Sequence, residues 1–135
     1  MRYSDPKSLE IKEGDAPRPQ AGEVLIRVHA AGINRADLLQ RAGNYRLKPE
    51  WSPIPGLECA GEVAEVGPGV TRWKPGDRVC ALLTGGGYAE YVAAPAGQCL
   101  PIPVTMNYTS AAALPEALFT VWLDVWDLGG LKPGE

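Results

Sequence analysis

The chain has 135 residues, enough for one domain with a substantial core. Hydrophobic residues make up 45% of it and the formal charge is -3, an ordinary globular balance that argues against a nucleic-acid partner. No apolar run reaches the length of a membrane span and no basic-then-apolar leader opens the chain, so no membrane partner and a cytoplasmic location are expected.

The 16 glycines and 13 prolines recur as punctuation (Pro-Ile-Pro-Gly, Gly-Pro-Gly, Lys-Pro-Gly-Asp, Gly-Gly-Gly), which fits short strands joined by turns and not a helical bundle. Leu9 to Glu13 reads as a short strand, followed by a turn through residue 22. Glu23 to Ala31 is the clearest strand, with Val24, Ile26, Val28 and Ala30 on one face. Leu25, Arg27 and His29 share the other, the latter two turned to solvent or a sheet edge. Gly32 closes the strand, and Asn34 is placed to cap a short helix from Arg35 to about Arg41. Asp37, at the third helical position, can reach back to the free amide at that cap. Gly43 stops the helix, and a Pro-laden loop runs from Leu47 to Pro55.

Cys59 to Val66 reads as the second long strand, followed by the turns Gly67-Pro68-Gly69 and Lys74-Pro75-Gly76-Asp77, with Val70 and Trp73 between them capping the core. Arg78 to Leu83, Tyr88 to Ala94 and Gln98 to Ile102 are further strands, the first two joined by the Gly85-Gly86-Gly87 bend. After Pro103 the pattern turns helical. Ser110 to Ala113 forms one piece, broken by Pro115, and Glu116 to Trp126 the next, with Leu118, Val121, Trp122 and Val125 at helical spacing. Phe119 and Trp126 add an adjoining apolar face, so this last helix is expected to be buried on most sides. The expected architecture is a strand-rich, partly open barrel over residues 1–115, with residues 116–135 a helix and turn. The ending on the turn Leu131 to Glu135 is read as a truncation.

Cys59, Cys80 and Cys99 form no Cys-x-x-Cys pair and His29 is the only histidine, so neither a zinc ribbon nor a thioredoxin-type site is expected. The thiols are read as reduced, small hydrophobes. No Gly-x-Gly-x-x-Gly fingerprint occurs, and the glycines at 85–87 lack the strand-to-helix setting it requires. The polar run Asn34, Arg35, Asp37 and Tyr45 in "GINRADLLQRAGNY" has two readings, a helix cap with its solvated face or the wall of an active site. On spacing alone, Asn34 is a cap and Tyr45 a rim residue packed against the barrel. Thr120 by itself reads as a threonine buried in a helix and bonded to an earlier carbonyl.

The segments "GEVLIRVHAAGINRADLLQRAGNY", "IPGLECAGEVAEVGPGVTRWKPGDRV", "GGGYAEYVAAPAGQCLPIP" and "AAALPEALFTVW" together resemble the medium-chain dehydrogenase/reductase superfamily, in its order and over nearly the whole chain. Within it the likeness is to the zinc-free quinone oxidoreductases related to zeta-crystallin, in the tumour-suppressor-inducible branch with its "NRADL" and "ALL-GGG" style. The resemblance implies a mainly β fold with a few helices: a GroES-like, partly open β-barrel that is the N-terminal catalytic domain, with the Rossmann domain absent from this chain. "LKPGE" would stand just before the first Rossmann strand.

Zinc-dependent members carry a cysteine where Asn34 stands and a histidine where Leu57 stands, so the resemblance implies a site without zinc. It implies NADPH as cofactor, with most of its site in the missing domain, and a small-molecule quinone or enone as substrate. By the same resemblance Asn34, Tyr45 and Thr120 face the cofactor, with Asn34 and Tyr45 also catalytic. A phenol carries its proton at neutral pH and can pass it to a substrate oxygen. Arg35 is expected to pair with Asp37 or Glu58, and Glu58 to order the site without reacting. The full-length protein is expected to be a homodimer, and the fragment alone to be inactive. An enone or enoyl-thioester reductase and a non-catalytic GroES-like binding module are the rival readings.

Overall fold

The computed structural model describes residues 9–134. Five strands form one wholly antiparallel sheet: β1 (Glu23–Ala31), β2 (Glu58–Val66), β3 (Arg78–Leu82), β4 (Tyr91–Pro95) and β5 (Cys99–Pro101), in the order β4-β1-β2-β3-β5. The sheet is open, with β4 and β5 at its edges. Helices α1 (Arg35–Arg41), α2 (Tyr108–Ala111) and α3 (Pro115–Val121) complete the fold, α3 running on into a π-helical stretch, Trp122–Leu128. The expectation of a mainly β, partly open architecture with a few helices is thus met. No helix among the described residues is long and apolar enough to cross a membrane.

Alternation of side chains along the central strands builds two cores, one on each face of the sheet. Val24, Ile26, Cys59, Val63, Val79, Ala81 and Cys99 pack on one face under Trp73 and Val70. Ala60 and Cys80 point the other way and pack against Ile102, Ala111 and Ala112. The central strands are therefore apolar on both faces because α2 covers the second one. Trp73 buries its ring and still satisfies its indole N–H, which donates to the Ala96 carbonyl at 2.9 Å.

Several elements depart from the sequence reading. Leu9 to Glu13 is exposed and forms no strand. The strand expected from Tyr88 starts at Tyr91, because the backbone N–H groups of Gly86, Gly87 and Tyr88 donate to Ile54, Gly56 and Pro55 instead of to the sheet. Gln98 closes a short 3-10 turn, Ala96–Gln98, and the strand that follows is only Cys99–Pro101. α2 begins before Ser110, since the Asn107 side chain accepts the Ser110 N–H and caps the helix at Tyr108.

The last helix differs most. Pro115 opens α3 where it was expected to break a helix, consistent with its missing N–H at a position that has no intrahelical acceptor. The helix touches β2 and β3. Farther along, Leu118, Val121, Trp122 and Trp126 are largely exposed, and Trp122 stacks on Trp126 at a centroid distance of 5.2 Å. Burial on most sides is thus corrected: apolar spacing marks a helix, but no described element lies over its outer turns.

Candidate functional site

α1 starts where β1 ends, so the chain turns through Gly32 and Ile33 and brings Asn34 back over the beginning of β2. Asp37 Oδ2 accepts the Asn34 backbone N–H at 2.8 Å, the acidic half of a capping box, as its helical position predicts. Asn34 Nδ2 then donates to Glu58 Oε1 at 2.9 Å, across a separation of 24 residues. The second carboxylate oxygen of Glu58 accepts the Glu116 backbone N–H at 3.0 Å. One buried carboxylate therefore joins α1, β2 and the first turn of α3.

Gly32 is part of this arrangement. A Cβ at that position would overlap the Glu58 carboxylate, so only glycine lets the strand end lie against it. Asp37 is buried as well and collects further donors: Gly56 N–H at 3.0 Å on Oδ1, and the Tyr88 hydroxyl at 3.0 Å on Oδ2. Burial first, and then the nearby Asp37 carboxylate, push the Tyr88 phenol up to about 12, so it stays a donor across the physiological range. Gln40 anchors the same helix by donating from Nε2 to the Pro53 carbonyl at 3.0 Å.

The structure joins some of the expected site residues and leaves others apart. Asn34 is both a cap and a member of the Glu58 cluster. Thr120 lies on α3, one turn beyond Glu116; it is exposed, so the buried-threonine reading does not hold. Tyr45 is half-buried in the loop after α1 and makes no hydrogen bond among the described residues. Arg35 is exposed and pairs with neither Asp37 nor Glu58, which corrects that expectation: both carboxylates accept from N–H and O–H donors. Leu57 sits beside Glu58, and its carbonyl accepts the Leu83 N–H at 2.7 Å.

Tyr88 and Glu116 are the residues that sequence reading missed. Their partners stand 51 and 58 residues away, beyond the reach of any local pattern. The glycine run before Tyr88 was the available signal, since it lets the chain fold back onto Pro55 and Gly56.

Asn34 has a second amide hydrogen beyond the one given to Glu58, Thr120 has an exposed hydroxyl, and Tyr45 has a phenol with no described partner. Among the described residues no group of three or more His, Cys, Asp or Glu is arranged to hold a metal ion.

Residues 20–104 match the alcohol dehydrogenase GroES-like domain. The rat synaptic vesicle membrane protein VAT-1 homolog is 39% identical over 130 residues, which is 96% of this chain and 32% of that protein. The rat quinone oxidoreductase is 38% identical over 137 residues, covering 100% of this chain and 42% of the relative. The solved quinone oxidoreductase of Thermus thermophilus, also determined in complex with NADPH, superimposes with a TM-score of 0.73 at 38% identity, over 95% of this chain and 39% of that one. The chain thus spans 32% and 42% of the length of these two curated relatives. It belongs to the alcohol dehydrogenase GroES-like domain family, within the medium-chain dehydrogenase/reductase superfamily.

Proposed function

We propose that this chain is the catalytic-domain portion of an NADPH-dependent quinone oxidoreductase that delivers hydride to a quinone, or a similarly activated acceptor, without zinc. The observation that carries the reading is the bond from Asn34 to Glu58. By the family resemblance, this carboxamide, already committed to a buried carboxylate, stands where zinc-dependent members use a cysteine. Leu57, which has no donor atom, stands where they use a histidine. Lacking those ligands, the site suits an acceptor that takes hydride readily, and catalysis rests on positioning.

NADPH, when bound, supplies the hydride. Asn34 and Thr120 hold and orient its nicotinamide end, the first through its amide and the second through its hydroxyl. Tyr45 lies on the substrate side. Hydride addition to a quinone leaves a hydroquinone anion, and the Tyr45 hydroxyl gives that oxygen its proton, recovering one from solvent afterwards. We take the intact protein to be a cytoplasmic homodimer.

The reading is tested with the intact protein after dialysis against a chelator, by following NADPH oxidation with quinones and with conjugated enones in parallel. Expected is quinone reduction undiminished by the chelator. A clear preference for enones would favour the reductase of conjugated alkenes instead, and loss of turnover restored by added zinc would overturn the proposal.

A further inference from the structure

Asn34 is held at its side chain by Glu58, but its backbone is held by a second, separate circuit. Asp37 Oδ2 accepts both the Asn34 N–H at 2.8 Å and the Tyr88 hydroxyl at 3.0 Å. Asp37 Oδ1 accepts the Gly56 N–H at 3.0 Å, and the Gly56 carbonyl in turn accepts the Gly87 N–H at 3.0 Å. Gly87 precedes Tyr88, so the ring closes: Tyr88 to Asp37, Asp37 to Gly56, Gly56 to Gly87. Its backbone segments pass so close that a Cβ on Gly56 would lie 2.6 Å from the Tyr88 nitrogen, and Gly56 has a φ of +103° besides.

This circuit leaves the Asp37 carboxylate little room to move. With the hydroxyl in place Oδ2 has two donors, and without it the carboxylate can rotate about its Cβ–Cγ bond, letting the cap and Asn34 drift together. We propose that Tyr88 is a positioning residue of the hydride-transfer site, acting through Asp37 on the placement of Asn34. The inference rests on the proposed function, since it assumes that Asn34 meets the nicotinamide.

A double-mutant cycle in the intact protein tests it, using Tyr88→Phe and Asn34→Ala alone and combined, with the rate of hydride transfer measured in single turnovers at saturating NADPH and quinone. Tyr88→Phe is expected to slow that step about tenfold, a loss of the kind that a small misplacement produces. The KM values should change much less, and the substitution should have no further effect in the Asn34→Ala background. Additive effects of the two substitutions, or an unchanged single-turnover rate in folded Tyr88→Phe, would overturn the proposal. Asp37→Asn supplies a second route should Tyr88→Phe fold poorly: it keeps one acceptor oxygen, and it too should lose its effect when Asn34 is absent. If Asn34→Ala itself left the rate untouched, the role of Asn34 in the proposed function would fail. If Asn34→Ala slowed the rate and Tyr88→Phe did not, only the positioning role would.

Discussion

The Asn34 side chain donates from Nδ2 to Glu58 Oε1 at 2.9 Å, and this bond carries the end of β1 onto the beginning of β2. The same carboxylate receives the Glu116 N–H on its other oxygen, so its negative charge is spread over two well-placed donors from distant segments. A buried carboxylate is costly unless such donors satisfy it.

Replacing Glu58 by Gln tests how strictly both oxygens are needed. A carboxamide has one acceptor oxygen, so either the Asn34 amide or the Glu116 N–H must then face an NH2 group. The expected loss is about 1–3 kcal/mol, the usual cost of a buried donor left unsatisfied. Urea denaturation reads it as a lower midpoint at unchanged slope.

Gly32→Ala probes the same carboxylate from the other side. The added methyl overlaps Glu58, which is bonded at both oxygens and has no free direction in which to yield. Destabilisation of about 1–3 kcal/mol is expected, as for an overpacked core position. Gly97→Ala is the control: nothing lies within 4 Å of its Cβ, and the change should stay within about 0.5 kcal/mol.

The acid limb of the stability curve should carry a contribution from Glu62. Arg27 bonds it at 2.6 Å and the Tyr108 hydroxyl at 2.9 Å, and these bonds hold its carboxyl below the ordinary glutamate value of 4.5. A depressed folded-state value means that the stabilisation is fully present above the unfolded value and is lost as the pH falls through the folded one. Thermal melts of the wild type and Glu62→Gln across that acid range should converge as the pH drops. Curves that run parallel would contradict the assignment. The group is well solvated, so the effect should shrink with added salt.

The cysteines should be inert while the protein is folded. Burial pushes the Cys59 and Cys99 thiols up to about 12 and raises Cys80 as well, leaving almost no thiolate at neutral pH. Alkylation by iodoacetamide should therefore be slow in buffer and fast in denaturant. Rapid labelling of any of the three in the native protein would show that a thiol is more accessible than its burial allows.

Local chemistry carried much of this protein's architecture. Alternating apolar residues in Glu23–Ala31 and Cys59–Val66 identified the long strands to within a residue, because a strand's period is a property of its own backbone. The box between Asn34 and Asp37 was equally legible, since a cap satisfies amides only three residues away. Tertiary structure decided where the polar groups meet. That Glu58 binds Asn34 and Glu116, that Tyr88 reaches Asp37, and that Arg35 reaches neither depends on loops closing across dozens of residues, which no periodicity encodes. Exposure of the last helix belongs to the same category. Its apolar spacing is a local fact, whereas burial requires a second surface, and among the described residues the sheet meets only the beginning of that helix.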